Sequence, residues 1–291
     1  MLLQQLQRNT KKPSAGTGKV VLAGAGPGDP DLITVKAAEA LRKADVVLAD
    51  RLVSDVILHR YVAPEAEIIR VGKECSKKRS TPQSSINALL VEHALQGKFV
   101  VRIKGGDASI FSNILDELQI LTEHNISYEI IPGVTAALGA AAYSGMPLTA
   151  RGYATAVRFM TYYKADTVTD THWKELAATD DTLVFYMSSG TLDQVVEKLV
   201  QNNIAAEKQL AVIEQATTCF QRVHTCSLYD YKQQLQGTDL ASPSLVVIGK
   251  VVALHEQFKW LQNSSTNQNY FKPVKEEMIA IHQQNNLKHA I

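Results

Sequence analysis

The sequence predicts two α/β domains in tandem, each with αβα layering around a mainly parallel sheet. Three observations carry that expectation. Short β-branched runs alternate with helix-patterned segments along the first half, a glycine-rich loop directly follows the first run, and a second strand series begins beyond a small-residue stretch marked by prolines.

In the first half the strand candidates lie at 20–23, 46–48, 68–71, 100–103 and 128–131. Between the first two, residues 34–43 have a helical pattern in which Val35, Ala38 and Leu41 share a face. Near-continuous apolar runs separated by helices point to a parallel sheet covered on both sides. Pro132-Gly133-Val134-Thr135 then punctuates the chain, and a helix of small residues (Ala136, Ala137, Gly139 to Ala142) leads to the break at Gly145-Met146-Pro147. A second αβ series follows, with strand candidates at 157–161, 182–186, 210–213 and 245–248. The expected organisation is a loose leader over 1–17, a first domain over 18–133, a second over 134–261 and a polar tail over 262–291. The tail opens on Asn, Gln and Ser, which favour a linker, and its 274–282 segment has the weak amphipathic pattern of a short terminal helix.

Composition narrows the function classes. The chain has 291 residues and 45% apolar content, enough for a core in each half. Thirty basic against 29 acidic residues leave a formal charge of +1, which argues against a nucleic-acid or membrane-surface partner, so any preference for an anionic ligand must be local. The three cysteines, Cys75, Cys219 and Cys226, lack paired metal or redox spacing, so no metal site is expected. The chain has no apolar run of membrane-spanning length and its start is too weakly apolar for a signal peptide. A cytoplasmic protein with reduced thiols is the expectation.

The strongest local signal is Gly24-Ala25-Gly26-Pro27-Gly28-Asp29-Pro30, between the first strand and a helix. Glycines there permit positive φ and close approach of a ligand to the backbone. One reading is a degenerate dinucleotide fingerprint, with Asp50 at the distance of a ribose-binding acid. Two prolines oppose it, because a phosphate cradle works through free backbone N–H groups and Pro27 and Pro30 have none. A rigid loop against a neutral or cationic ligand fits better, and a plain tight turn is the third reading.

Taken in order, GAGPGDPDLIT (24–34), ADVVLADRLVS (44–54), VGK (71–73), RIKGGD (102–107), IPGVTAALGAAAYSGMPLT (131–149), LVFYM (183–187) and SPSLVVIGKVVAL (242–254) resemble the successive blocks of the uroporphyrinogen-III C-methyltransferases, within the class III tetrapyrrole methylases. The resemblance implies two αβ domains with S-adenosylmethionine in the cleft between them, and a homodimer. It also implies two methyl transfers, to C2 and C7 of the macrocycle, that give precorrin-2 for sirohaem and cobalamin synthesis and release S-adenosylhomocysteine. Block by block it places cofactor contacts at Pro27, at Gly105, Gly106 and Asp107, and at Ile110, Thr135, Ala136 and Met187. Ala216 stands where the family commonly has glycine. Asp50 and Lys73 match its proton acceptor and proton donor.

These assignments are chemically reasonable. Asp107 can accept from hydroxyl or ammonium groups, and Met187 offers a polarisable face to an adenine. The substrate's eight carboxylates call for cations, for which Arg51, Lys73, Arg151 and the run Lys77-Lys78-Arg79 are the candidates. Outside the blocks, Asp50 reads as a turn or helix cap, Lys73 as a solvated cation and Met187 as core.

Three departures border the expected substrate cavity: Asn113 replaces an arginine, Ala150 a histidine, and Ala49 a tyrosine. The sequence also lacks the dehydrogenase–ferrochelatase region of fused sirohaem synthases, so oxidation and iron insertion are expected from other proteins. The alternatives are another precorrin methylase of the same fold, a nicotinamide-dependent oxidoreductase using the glycine loop and Asp50, and a binding homologue inactivated by the Asn113 change.

Overall fold

The computed structural model describes residues 16–72, 81–162, 168–266 and 268–271. The chain divides into two compact units, the first running to Val134 and taking in the chain from Phe271, the second spanning Thr135–Tyr270.

The first unit is built on β1 (Lys19–Gly24), β2 (Val46–Ala49), β3 (Glu67–Arg70), β4 (Phe99–Lys104) and β5 (Ser127–Ile131), in the order β3-β2-β4-β1-β5 with every pair parallel. Its helices are α1 (Val35–Arg42), α2 (Asp55–Tyr61), α3 (Gln83–Leu95) and α4 (Ile114–Glu123). Alternation along the strands sorts the core into two layers. Val21, Ala23, Val47 and Ile103 pack with α1 and α2, whereas Val20, Leu22, Leu48 and Val100 pack with α3 and α4. Burial on both faces is the reason these strands read as unbroken apolar runs. Local signals set the helix starts: Thr34 and Ser54 accept hydrogen bonds from the Ala37 and Ile57 N–H groups at 3.2 and 3.3 Å.

The second unit has β6 (Val157–Thr161), β7 (Thr182–Tyr186), β8 (Gln209–Glu214), β9 (Arg222–Ser227) and β10 (Ser244–Gly249), in the order β6-β7-β10-β8-β9. Its helices are α5 (Ala136–Tyr143), α6 (Asp170–Ala178), α7 (Leu192–Gln201), the single turn α8 (Tyr231–Gln234) and α9 (Leu254–Phe258). Here the expectation of a mainly parallel sheet needs correcting, because only β6 and β7 pair in parallel and the other three pairings are antiparallel. The link from β8 to β9 is too short for a parallel crossover, which takes about a dozen residues. The apolar runs misled because β10 is covered on both faces, Val246 and Ile248 facing one core and Leu245 and Val247 the other. Two-sided burial produces a continuous apolar run whatever the strand direction.

Residues 263–266 and 268–270 pack as part of the second unit. The Asn263 amide pairs with the Val223 backbone in both directions, and the Gln215 side chain bonds the Gln268 carbonyl and the Tyr270 N–H. The 274–282 segment lies outside the described residues.

Candidate active site

Strand order in the first unit creates a crevice. From β1 the chain leaves over one face, through α1, to reach β2 beyond β4; from β4 it leaves over the other, through α4, to reach β5 beyond β1. Connections that diverge from adjacent parallel strands open a ligand-binding crevice at their carboxyl ends. Both glycine loops sit there, one after β1 and one after β4, and they are stitched together. Ala25 N–H donates to the Lys104 carbonyl at 2.8 Å, and Gly26 and Gly106 exchange hydrogen bonds at 3.1 and 2.8 Å.

The glycines serve chain packing. A Cβ on Gly133 would lie 2.3 Å from the Gly106 carbonyl oxygen and 2.8 Å from Gly24 Cα, and one on Gly105 would lie 2.6 Å from Leu52 Cβ. Asp107 completes this brace: its Oδ1 accepts from Ser109 N–H at 2.7 Å and its Oδ2 from Gly133 N–H at 2.9 Å. Ile110 is then exposed, and Asn113, which precedes α4, sits at φ 54°, ψ 33°. Asparagine is among the few residues that adopt this left-handed region readily.

Asp50 lies in the turn after β2, where its Oδ2 accepts from Leu52 N–H at 3.2 Å and its Oδ1 is 3.8 Å from Arg102 Nη2. It is thus both the turn residue and a partly exposed carboxylate beside a fixed cation. Arg102 is held by Glu117 Oε1 at 3.1 Å and by the Leu48 and Ile103 carbonyls at 3.2 Å each; Glu117 Oε2 takes Lys104 Nζ at 2.6 Å. Arg102, Lys104 and Glu117 are all buried. Burial pulls the Lys104 ammonium below the usual lysine range, with Glu117 opposing the shift and Arg102 adding to it. The Arg102–Lys104–Glu117 cluster escaped the sequence reading. Its signal was present in Arg102 and Lys104 alternating with Val101 and Ile103, a charged stripe on a face that must be covered. Arg51 has a buried Nε with no hydrogen bond among the described residues. Lys73, Lys77, Lys78 and Arg79 lie outside the described residues.

In the second unit, β7 and β8 end at one edge of the sheet and bring Met187 and Ala216 there. Met187, at φ 54°, is 50% exposed and not core. Ala216 is buried between Gln215 and Thr217, both left-handed at φ 46° and 66°. Thr135 precedes α5 and shares a hydrogen bond with the Tyr186 hydroxyl at the end of β7, so Thr135 and Ala136 join the same edge. Arg151 is exposed in the turn closed by the Ala150–Ala154 bridge. Among the described residues no cluster of His, Cys, Asp and Glu is arranged to hold a metal ion, and no helix is long and apolar enough to cross a membrane.

A sequence model of the tetrapyrrole (corrin/porphyrin) methylases matches residues 19–232, from β1 through β9. The chain belongs to this family. It is 43% identical over 254 residues to the siroheme synthase of Pseudomonas fluorescens strain SBW25, covering 87% of this chain and 54% of that protein. Its identity to the siroheme synthase of Saccharophagus degradans is also 43%, over 244 residues, 84% of this chain and 53% of that protein. The chain thus spans about half the length of the curated relatives it matches. Among solved structures, uroporphyrin-III-C-methyltransferase from Thermus thermophilus superposes with a TM-score of 0.70 at 33% identity, covering 84% of this chain and 98% of that one. The same enzyme complexed with S-adenyl homocysteine gives 0.67 at 33% identity, over 81% and 93%. A cobalt precorrin-4 methyltransferase gives 0.71 at 25% identity, over 80% and 95%.

Proposed function

We propose that the chain is an S-adenosylmethionine-dependent uroporphyrinogen-III C-methyltransferase that methylates C2 and C7 to give precorrin-2, on the way to sirohaem and cobalamin. The observation that carries the reading is the pair of interlocked glycine loops at the sheet's switch point in a chain 33% identical to the Thermus thermophilus enzyme over 98% of that enzyme's length.

The residues fit this cofactor. S-adenosylmethionine has no phosphate, and a loop carrying Pro27 and Pro30 presents few N–H groups for one. Asp107 keeps acceptor capacity beyond its two backbone bonds. Half-exposed Met187 offers an apolar face. The proposed contacts are therefore Pro27, the Gly105-Gly106-Asp107 loop and Ile110 in the first unit, with Thr135, Ala136, Met187 and Ala216 in the second. The cofactor supplies an electrophilic methyl group on a sulfonium.

The chain's own task is to align the substrate and take up the proton that leaves the methylated carbon. Asp50 is the proposed proton acceptor and Lys73 the proposed donor. Arg102, fixed by Glu117 and two carbonyls, sets a positive charge beside the Asp50 carboxylate. Arg51, Arg151 and the 77–79 run are the proposed holders of the substrate carboxylates. Asn113 stands where the family has an arginine, so if that charge is required it must come from elsewhere in the chain. We further propose a homodimer in the cytoplasm, which light scattering and cell fractionation test.

The deciding assay incubates the protein anaerobically with uroporphyrinogen III and S-adenosylmethionine and follows absorbance and mass. A product carrying two added methyl groups supports the reading; no methylated product overturns it. Likeness to the precorrin-4 enzyme gives a second reading, a sister precorrin methylase. Methylation of a supplied precorrin with uroporphyrinogen III untouched would favour it.

A further inference from the structure

We propose that Tyr186 is a positioning residue of the cofactor site, its hydroxyl locking the start of α5 to the turn that presents Met187. The inference rests on the cofactor reading above and extends it to a residue that touches neither reactant.

The argument starts from a cap that is missing. Thr135 occupies the position before α5 with extended backbone (φ −67°, ψ 150°), yet its hydroxyl makes no capping bond to the helix. A threonine there ordinarily accepts from the second or third helical N–H. That role passes to a residue distant in sequence, since the Tyr186 hydroxyl accepts from Ala137 N–H at 3.1 Å and lies 2.8 Å from Thr135 Oγ1. One phenol thus engages the residues on either side of Ala136. The Ala136 N–H itself has no hydrogen bond among the described residues.

The other end of Tyr186 is equally constrained. Its ring packs edge-on against Phe159 with centroids 5.8 Å apart. The next residue, Met187, adopts φ 54°, a left-handed backbone that a non-glycine residue enters only at a cost. Buried Ser188 fixes the far side, its Oγ donating to the Tyr186 carbonyl at 2.9 Å and accepting from Tyr162 N–H at 3.1 Å. Met187 is therefore held outward between two anchored neighbours. Sheet packing alone would need only the ring. The hydroxyl adds a link between the 135–136 and 187 segments, two of the places assigned to the cofactor.

The test is Tyr186→Phe, which removes that oxygen and keeps the ring. Loss of its two bonds, to Ala137 N–H and Thr135 Oγ1, predicts S-adenosylhomocysteine binding weaker by about tenfold in calorimetry. In the methylation assay KM for S-adenosylmethionine should rise by a similar factor, with kcat and the tetrapyrrole KM unchanged. Adding Thr135→Val to Tyr186→Phe should weaken binding less than Thr135→Val does in the parent, because the Thr135–Tyr186 bond is already gone; strictly additive losses overturn the link. A Tyr186→Phe protein that binds S-adenosylhomocysteine as tightly as the parent overturns the inference, as does a fall in kcat at unchanged KM. Failure of the parent protein to bind S-adenosylhomocysteine would overturn the cofactor reading and this inference together.

Discussion

At Asp107 both carboxylate oxygens accept backbone N–H groups, so the residue ties the β4 loop to Gly133. Asp107→Ala removes the tie and the acceptor together, and calorimetry should show S-adenosylhomocysteine binding weakened by about tenfold or more; unchanged affinity would remove Asp107 from the site. Asp50 differs, since it holds only its own turn and stands beside Arg102. On the proposed mechanism Asp50→Ala should abolish methylation and leave cofactor-product binding intact, and parental turnover would end its proposed role as proton acceptor. Asp50 and Asp107 were visible in the sequence because each closes a motif whose turn chemistry is local. Arg102, Glu117 and Tyr186 were not, because what matters about them is a partner many residues away.

Between strands, the glycine positions are the least forgiving. A methyl group at Gly133 would press on Gly106 and Gly24 backbone atoms, which cannot swing aside as a side chain can. Gly133→Ala should therefore destabilise the protein by about 2 kcal/mol or more, read as a lower urea midpoint, whereas Gly190→Ala, where nothing lies within 4 Å, should not. The β1–β5 pair carries a pH-dependent tie. Glu129 bonds Lys19 at 2.5 Å and also Lys36, and those bonds, Lys19 first, hold its carboxyl below the usual range against a small opposing effect of burial. A depressed folded value means that the stabilisation is present above the ordinary carboxylate pKa and is lost as pH falls through the folded one. Because the groups are partly exposed, Glu129→Gln should cost less than about 1 kcal/mol near neutrality. The difference from the parent should vanish in denaturant titrations well below a pH of about 4; a constant difference would contradict the ion pair. Most strand positions were legible at this scale, as was the parallel direction of the first sheet, but the directions in the second sheet were not. β9 (Arg222–Ser227) went unseen because its polar and half-buried residues lack an apolar run.

For the molecule as a whole, ligand binding and stability are linked. S-adenosylhomocysteine at a hundredfold its Kd should add about 2.7 kcal/mol and raise Tm, whereas NAD should leave it unchanged. A rise with NAD alone would revive the nicotinamide reading of the glycine loop. The sequence by itself determined that the chain forms two α/β units, that a glycine loop closes the first strand, and which family's blocks it carries, since periodicity, turn chemistry and motif spacing are encoded by near neighbours. Only the tertiary structure decided that the second sheet is mixed, that the glycines let strand ends meet, and that Arg102 stands by Asp50 and Tyr186 by Thr135. Those facts depend on contacts between distant residues, and a one-dimensional pattern of burial reads the same whichever partner does the burying.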